Sequence, residues 1–380
     1  MSEEDRSLRI GFYKKRSIIS YGLVSIFLFG TSCSWQGAND FPFTGKTTDS
    51  APTESRSGHS AVVAPEGVGI WGGRGLDSGS VSNDGLLYNL SEDTWELLPE
   101  APLEARMRHT AVLAGSEMLI WGGDAPEDSR SFFKNGAAFD FESDEWRTLP
   151  DAPVARASAR SIYHSNRVYI FGGNADPAIG AESIDVFSLK DESWTRLDLG
   201  EKVLGLAALN TSTLVAATFG NRGDEVGLLR VDVESGAISR LDRIPVSKMG
   251  GSVSLVSSNS GTVYGIVDGD DATSFVEIDK EGVQAKRVSG EYVGDIDLMQ
   301  YPLNVGMSWI DGESIYSISD RGISRLSIPG MKSYSWRSSE FPSRCNGASE
   351  SLLGEGGIFI WGGSGCSNGE GVSEGLLYSY

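Results

Sequence analysis

Short apolar runs ending in a pair of glycines set the rhythm of this chain. They read Val68-Gly-Ile-Trp-Gly-Gly73, Leu119-Ile-Trp-Gly-Gly123, Val168-Tyr-Ile-Phe-Gly-Gly173 and Ile358-Phe-Ile-Trp-Gly-Gly363. Hydrophobic side chains at consecutive rather than alternating positions predict a strand covered on both faces. The glycines free the backbone where that strand leaves its sheet. Other pieces keep a fixed distance from these runs: Arg56-Ser-Gly-His-Ser-Ala-Val-Val63 before the first, then Gly85-Leu-Leu-Tyr88 and Trp95-Glu-Leu-Leu98 after it. The series returns as Arg106-Met-Arg-His109, Gly136-Ala-Ala-Phe139 and Trp146-Arg-Thr-Leu149, and again as Arg156, Asp185-Val-Phe187 and Trp194-Thr-Arg-Leu197. The aromatic before the double glycine stands at 71, 121 and 171, a period of fifty residues.

A unit of that length cannot bury its own apolar faces, so its copies must stack. These residues resemble the kelch repeat, in which four strands form one blade of a β-propeller. From Lys202 the signature weakens, through Leu214-Val-Ala-Ala-Thr-Phe-Gly220, Val263-Tyr-Gly-Ile-Val267 and Ser314-Ile-Tyr-Ser-Ile318. It sharpens again in the last copy, where Gly375-Leu-Leu-Tyr378 repeats Gly85-Leu-Leu-Tyr88. The 290 residues from Trp71 to Trp361 divide into six steps of about forty-eight. The expectation is therefore an all-β fold, a seven-bladed β-propeller of kelch-type four-stranded blades, over residues 56–380. The chain stops at Tyr380, after the third strand of the seventh blade, so a strand from elsewhere should supply the fourth. Trp35 is the only tryptophan upstream of the first blade, and Ala51-Pro52 to Arg56 matches Ala101-Pro102 to Arg106. A strand around Trp35 is expected to close the ring.

Residues 1–32 have the layout of an export signal: Lys14-Lys15-Arg16, an apolar run from Ile18 to Gly30, then Thr31-Ser32 before Cys33. The run is about thirteen residues, short of the roughly twenty that span a bilayer. A cysteine after small residues resembles the lipobox of bacterial lipoproteins, whose thiol is diacylglycerol-modified. That resemblance implies lipidation at Cys33, and Ser34 after it favours the outer membrane or cell surface of a Gram-negative bacterium. A plain secretory signal with an incidental cysteine is the alternative. Residues 33–55 read as a polar tether that also holds the closing strand.

Charge narrows the partners. With 52 acidic and 32 basic side chains the net charge is −20. The first 32 residues contribute five basic and three acidic groups, so the remainder carries −22. Such a surface repels nucleic acid, and no nucleic-acid partner is expected. With Cys33 lipidated, Cys345 and Cys366 remain as an even pair in an oxidising compartment. They flank the turn Gly354-Glu-Gly-Gly357 symmetrically, which predicts direct opposition across neighbouring strands and a disulfide.

Few residues suggest chemistry. His59 and His109 occupy the same place in consecutive repeats, which favours a packing role for them over metal ligation. The copper oxidases built on this fold need a cysteine crosslink, and no cysteine is free for one here. Asp268, Asp270 and Asp271 are dense enough in oxygen ligands for calcium, but lack the ligand spacing that would distinguish a site from a solvated turn. One constellation remains. A basic residue opens the inner strand as Arg56, Arg106, Arg156, Lys202, Lys248 and Arg344. If these strands start at one rim of a central channel, the six cations gather there to bind an anion; the alternative is that they tie blade to blade. Loops after the double glycines should open at the same rim, adding Arg74, Arg130, Phe132, Phe133 and Asn174 as a pocket wall.

The functional expectation is a non-enzymatic binding module: a monomer held at the envelope by its lipid, without cofactor or metal, presenting loops to a protein or anionic glycan. The alternative is an exported carbohydrate-active enzyme resembling the kelch-type sialic acid mutarotases. A structural spacer is a third reading.

Overall fold

The structure, a computed structural model, describes residues 44–125, 132–176, 181–220, 223–246, 252–268 and 273–287, and the runs 308–311, 313–319, 322–328, 332–337, 344–345, 349–353, 357–365 and 370–379. Among these, the strands assemble into seven four-stranded antiparallel sheets. Sheet I comprises Ser60–Ala64, Gly67–Trp71, Gly85–Asn89 and Thr94–Leu97, in chain order from the innermost strand outward. Sheet II comprises Thr110–Ala114, Glu117–Trp121, Gly136–Asp140 and Glu145–Leu149; sheet III comprises Arg160–His164, Arg167–Phe171, Ser183–Ser188 and Ser193–Asp198. Sheets IV, V and VI begin at Lys202–Asn210, Ser252–Ser257 and Ser308–Asp311 and follow the same order. Sheet VII takes Ser349–Leu353, Gly357–Trp361 and Glu374–Ser379 from the end of the chain and Thr44–Ser50 from its start. Innermost strands lie side by side from VII to I and onward to VI. This is the propeller that the repeats predict.

The core lies between sheets, which explains the consecutive apolar positions. In sheet I every residue of Gly67–Trp71 and Gly85–Asn89 is buried, while the outer strand Thr94–Leu97 is largely exposed. Val68, Ile70, Leu86 and Tyr88 pack against Phe359 and Trp361 of sheet VII. Trp71 and Leu87 pack the other way, against Met118, Ile120 and Phe139 of sheet II. The same two-sided packing joins II to III, III to IV, IV to V and V to VI. At roughly 25 cal/mol per Å² of buried apolar surface, each middle strand is stabilised from both neighbours, and no sheet has a core of its own.

Closure is achieved by an N-terminal strand, but not the one around Trp35. Thr44–Ser50 pairs antiparallel with Glu374–Ser379. Trp35 lies outside the described residues. Tyr88 faces Trp95 across sheet I, whereas its counterpart Tyr378 faces Gly45. A Cβ at Gly45 would lie 2.4 Å from the Tyr378 ring, so the tryptophan that marks other outer strands has been replaced by a residue with no side chain. Part of the segment expected to be a tether is thus sheet, and the sheeted body begins at Thr44. Buried Thr48 accepts the amide of Gly375 at 2.8 Å, Ser55 donates to Gly363 O at 2.6 Å, and Ala51 N donates to Ser373 O at 3.0 Å. Stacking of Tyr88 on Phe359, with ring centroids 5.1 Å apart, completes the seam.

Removing this strand leaves the last sheet with a bare edge. A chain beginning at residue 51 should denature at clearly lower urea concentration than one beginning at residue 41, and should self-associate; matching midpoints would show that the strand contributes nothing. The milder Thr48→Val, which deletes one buried hydrogen bond, should cost about 1 kcal/mol in the same measurement.

Candidate functional site

The segment leading into a sheet and the loop after its double glycine are brought together, as the repeat predicts. Arg56–Ser57 pairs with Arg74–Gly75, Ala155–Ala157 with Asn174–Asp176, and Arg344–Cys345 with Ser364–Gly365. In sheet II the same contact is a single bridge, Met107 to Asp124, and Asp124 bridges on to Phe132. These ribbons belong to sheets VII, I, II and III, which are consecutive around the ring. They form one elaborated arc.

The three arginines of the arc are structural. Arg56, Arg106 and Arg156 are buried. Each Nη1 donates to the carbonyl of the first glycine of its own sheet: Gly72 at 3.2 Å, Gly122 at 2.9 Å and Gly172 at 3.0 Å. Each backbone carbonyl accepts the amide of the second glycine of the preceding sheet: Gly363 for Arg56, Gly73 for Arg106 and Gly123 for Arg156, at 2.9, 2.9 and 2.7 Å. The side chains find further partners within the fold: Arg56 Nη1 lies 2.8 Å from Asp84 Oδ1, while Arg56 Nε is buried without a partner among the described residues. Arg106 reaches Glu104 and lies 4.3 Å from the centroid of the Phe133 ring. Arg156 is paired with the buried Asp185, which also holds Arg196. Burial pushes the Arg106 guanidinium down to about 10, with Glu104 opposing the shift. Of the two readings of these arginines, an open anion-binding rim or ties between blades, the geometry supports the ties.

The histidines are set into the same seam. His59 meets the edge of Trp361 and His109 the edge of Trp71, both at 5.0 Å and 76°. Ser60 Oγ lies 2.7 Å from His109 Nε2. Burial pushes both imidazoles down to about 3, helped by Arg56 and Arg106 respectively, so both are neutral. This is the packing role predicted for them. It also explains the glycines: a Cβ on Gly72 would sit 2.8 Å from the His109 ring and 2.9 Å from Arg106 O.

Other predicted residues are scattered. Arg74 is exposed, its Nε donating to Gly79 O at 2.9 Å, and Asn174 is exposed. Phe132 and Phe133 are half-buried in the arc. Lys202 does not stand where Arg156 stands: it is paired with Phe219 inside the first strand of sheet IV. Arg344, Cys345 and Asp268 are described in their backbone alone; Cys33, Arg130, Lys248, Asp270, Asp271 and Cys366 lie outside the described residues. Cys345 is opposite Ser364, not Cys366: Leu353 pairs with Gly357, so the hairpin register alone would set Cys345 against Gly365, and the positive φ at Gly362 and Gly363 shifts it one residue further. Among the described residues no three His, Cys, Asp or Glu side chains gather as a cation site.

Two features escaped the sequence reading. Gly58, Arg108 and Ser158 hold the same left-handed conformation, with φ of 65°, 56° and 55°. Arg108 N donates to Gly58 O and Ser158 N to Arg108 O, both at 2.7 Å, so a backbone chain crosses three sheets. Arg108, one-third exposed, is held by a two-point ion pair with the buried Asp124. The second is Arg160, partly buried at the start of sheet III.

Two measurements follow from the seam. Arg106→Met strands the Gly122 carbonyl and should cost on the order of 3 kcal/mol in denaturant unfolding, while Arg74→Met should change stability by under about 0.5 kcal/mol. Equal effects would remove the distinction between them. Because the folded pKa of His59 and His109 lies near 3 and the unfolded value near 6.5, the unfolded chain binds more protons between these limits. Their contribution is full above pH 6.5 and is lost progressively toward pH 3. Unfolding free energy measured against pH should therefore fall less steeply over that window in His109→Asn than in the parent chain.

Comparison with known proteins agrees with this geometry. Residues 46–219 match the KLHDC2/KLHL20/DRC7 Kelch-repeats domain. No curated protein matches the chain in sequence. Among solved structures, a fungal alcohol oxidase of the AA5 family, determined in complex with copper, superposes with a TM-score of 0.60 at 13% identity, over 88% of this chain and 76% of that one. Its likeness is one of fold. Sheets I to III thus fall within the stretch that is similar to a Kelch-repeats domain, in a propeller that extends through sheet VII.

Proposed function

We propose that this chain is a binding propeller that presents the arc of sheets VII, I, II and III to a protein partner. The observation that carries the reading is the clustering of all described leader–loop ribbons on consecutive sheets. Exposed Arg74 and Asn174 and half-buried Phe132 give the arc mixed polar and aromatic chemistry, as protein interfaces have. The match to a Kelch-repeats domain supports a protein partner over an anionic glycan. The oxidase likeness carries no chemistry at 13% identity.

The proposal extends to address and covalent state. Lys14-Lys15-Arg16, the apolar run to Gly30 and Cys33 support lipidation and attachment to the outer membrane, with the propeller acting as a monomer. Exposure to an oxidising compartment supports a disulfide between Cys345 and Cys366. Among the described residues no helix is long and apolar enough to cross a membrane.

Three experiments test this. Cys33→Ala should move the protein from the membrane fraction to the soluble fraction; retention on membranes would refute the lipid anchor. Thiol titration of the denatured mature protein should find no free cysteine. Crosslinking on intact cells should capture a defined protein partner that is lost in Arg74→Ser/Phe132→Ser, two changes that leave the fold intact. A partner retained by that variant, or anomer exchange of anionic sugars by the purified propeller, would overturn the binding reading in favour of another face or of an enzyme.

A further inference from the structure

Pairing register identifies one position at the start of every well-marked inner strand: the residue opposite the aromatic that ends the second strand. It is Ser60 opposite Trp71, Thr110 opposite Trp121 and Ser349 opposite Trp361. In sheet III it is Arg160, opposite Phe171, and in sheet IV it is Lys202, opposite Phe219. Two neighbouring sheets thus carry cations where the others carry a small hydroxyl.

The hydroxyls are used between sheets: Ser60 Oγ meets His109 Nε2 and Thr110 Oγ1 meets Ser161 Oγ, each at 2.7 Å. The cations are not. Arg160 crosses toward sheet IV, where Nη1 donates to Leu204 O at 3.3 Å, two residues along the strand from Lys202. Among the described residues it makes no other hydrogen bond, and neither Arg160 nor Lys202 has a carboxylate within ion-pair distance. Glu201, the nearest acid in sequence, is turned to Thr218 and Arg243. Burial alone lowers the Arg160 guanidinium, with no acid opposing it. In a protein so rich in carboxylates, a desolvated cation with none beside it among the described residues is unexpected. Ser158 Oγ, two residues before Arg160 in sequence, is shielded from solvent and has no partner among the described residues.

We propose that Arg160, Lys202 and Ser158 form a binding site for an oxyanion at the inner end of the seam between sheets III and IV. Its ligand would be a carboxylate, phosphate or sulfate group, held by the planar fork of arginine, the point charge of lysine and one hydroxyl donor. Arg160 opens sheet III, the last of the arc, but the oxyanion site uses none of the side chains proposed to meet a protein and holds whether or not the arc binds one.

The test uses the full chain in chloride buffer of fixed ionic strength, with inorganic phosphate, sulfate and acetate as probes in calorimetric titration. At least one probe should bind the parent chain, and the preference among the three reports which oxyanion geometry fits. Arg160→Thr, which restores the sheet II residue, and the exposed Lys202→Ser should each weaken binding roughly tenfold to a hundredfold, as loss of a charged hydrogen-bonding partner does. Lys190→Ser, an exposed cation in the turn before the outer strand of sheet III, should leave it unchanged. In probe-free buffer Arg160→Thr should melt no lower than the parent. Absence of binding by every probe, binding indifferent to both substitutions, or a lower melting point for Arg160→Thr without probe would each overturn the proposal; the last would assign the guanidinium to Leu204 and the fold.

Discussion

A hydrogen bond from the amide of a second glycine to the carbonyl of an arginine joins sheet VII to I, I to II and II to III. Its donor is on the loop leaving one sheet and its acceptor on the segment entering the next, so it fixes how neighbouring sheets abut. The other groups are arranged around it. The arginine side chain turns back to hold the first glycine of its own sheet, and the histidine three residues on from Arg56 or Arg106 covers the preceding tryptophan. Only glycine leaves room for that carbonyl and ring. Arginine suits the position because it has five donors and keeps its charge when half the partners are neutral carbonyls.

The other half of the ring is built differently. Sheet IV has no double glycine, and its strands are longer, up to the nine residues of Lys202–Asn210. Between IV and V the packing is aliphatic, from Ala207, Val215 and Val226 to Val253, Val263 and Val276. Among the described residues no arginine seam joins these two sheets. The described ribbons are confined to sheets VII, I, II and III, an asymmetry that a repeated fold acquires only by losing part of its repeat.

These two halves were not equally legible in the chain. Double glycines and their aromatics located the sheets of the stapled half because every one of those residues answers a steric demand of the seam. The weaker copies could be counted by spacing, since apolar strands have to recur at the width of a blade. Side-chain destinations were harder. Arg56, Arg106 and Arg156 recur for the same reason whether they meet a ligand or a carbonyl, and only coordinates distinguish the two. Trp35 misled because an aromatic was taken as the mark of an outer strand. The better guide was distance: Gly45 precedes Arg56 by the same eleven residues that separate Trp95 from Arg106. Arg160 was passed over because it breaks a pattern, and a search for repetition discards the positions at which one copy differs.

Pairing of Thr44–Ser50 with Glu374–Ser379 joins segments whose side chains touch across 324 residues of sequence, at Ser50 and Glu374. During synthesis the first of these strands emerges some 324 residues ahead of its partner, so sheet VII cannot form until Glu374–Ser379 has been made. Loop closure over that distance is entropically costly, and it is the last contact to be rewarded. Until then Thr44–Ser50 is an unpaired strand and sheet I lacks a neighbour on one side. A nascent chain, or one truncated before Glu374, is therefore recognisable by an unpaired Thr44–Ser50 and an open seam beside sheet I. The position of a single short strand makes synthesis through Ser379 a condition for closing sheet VII.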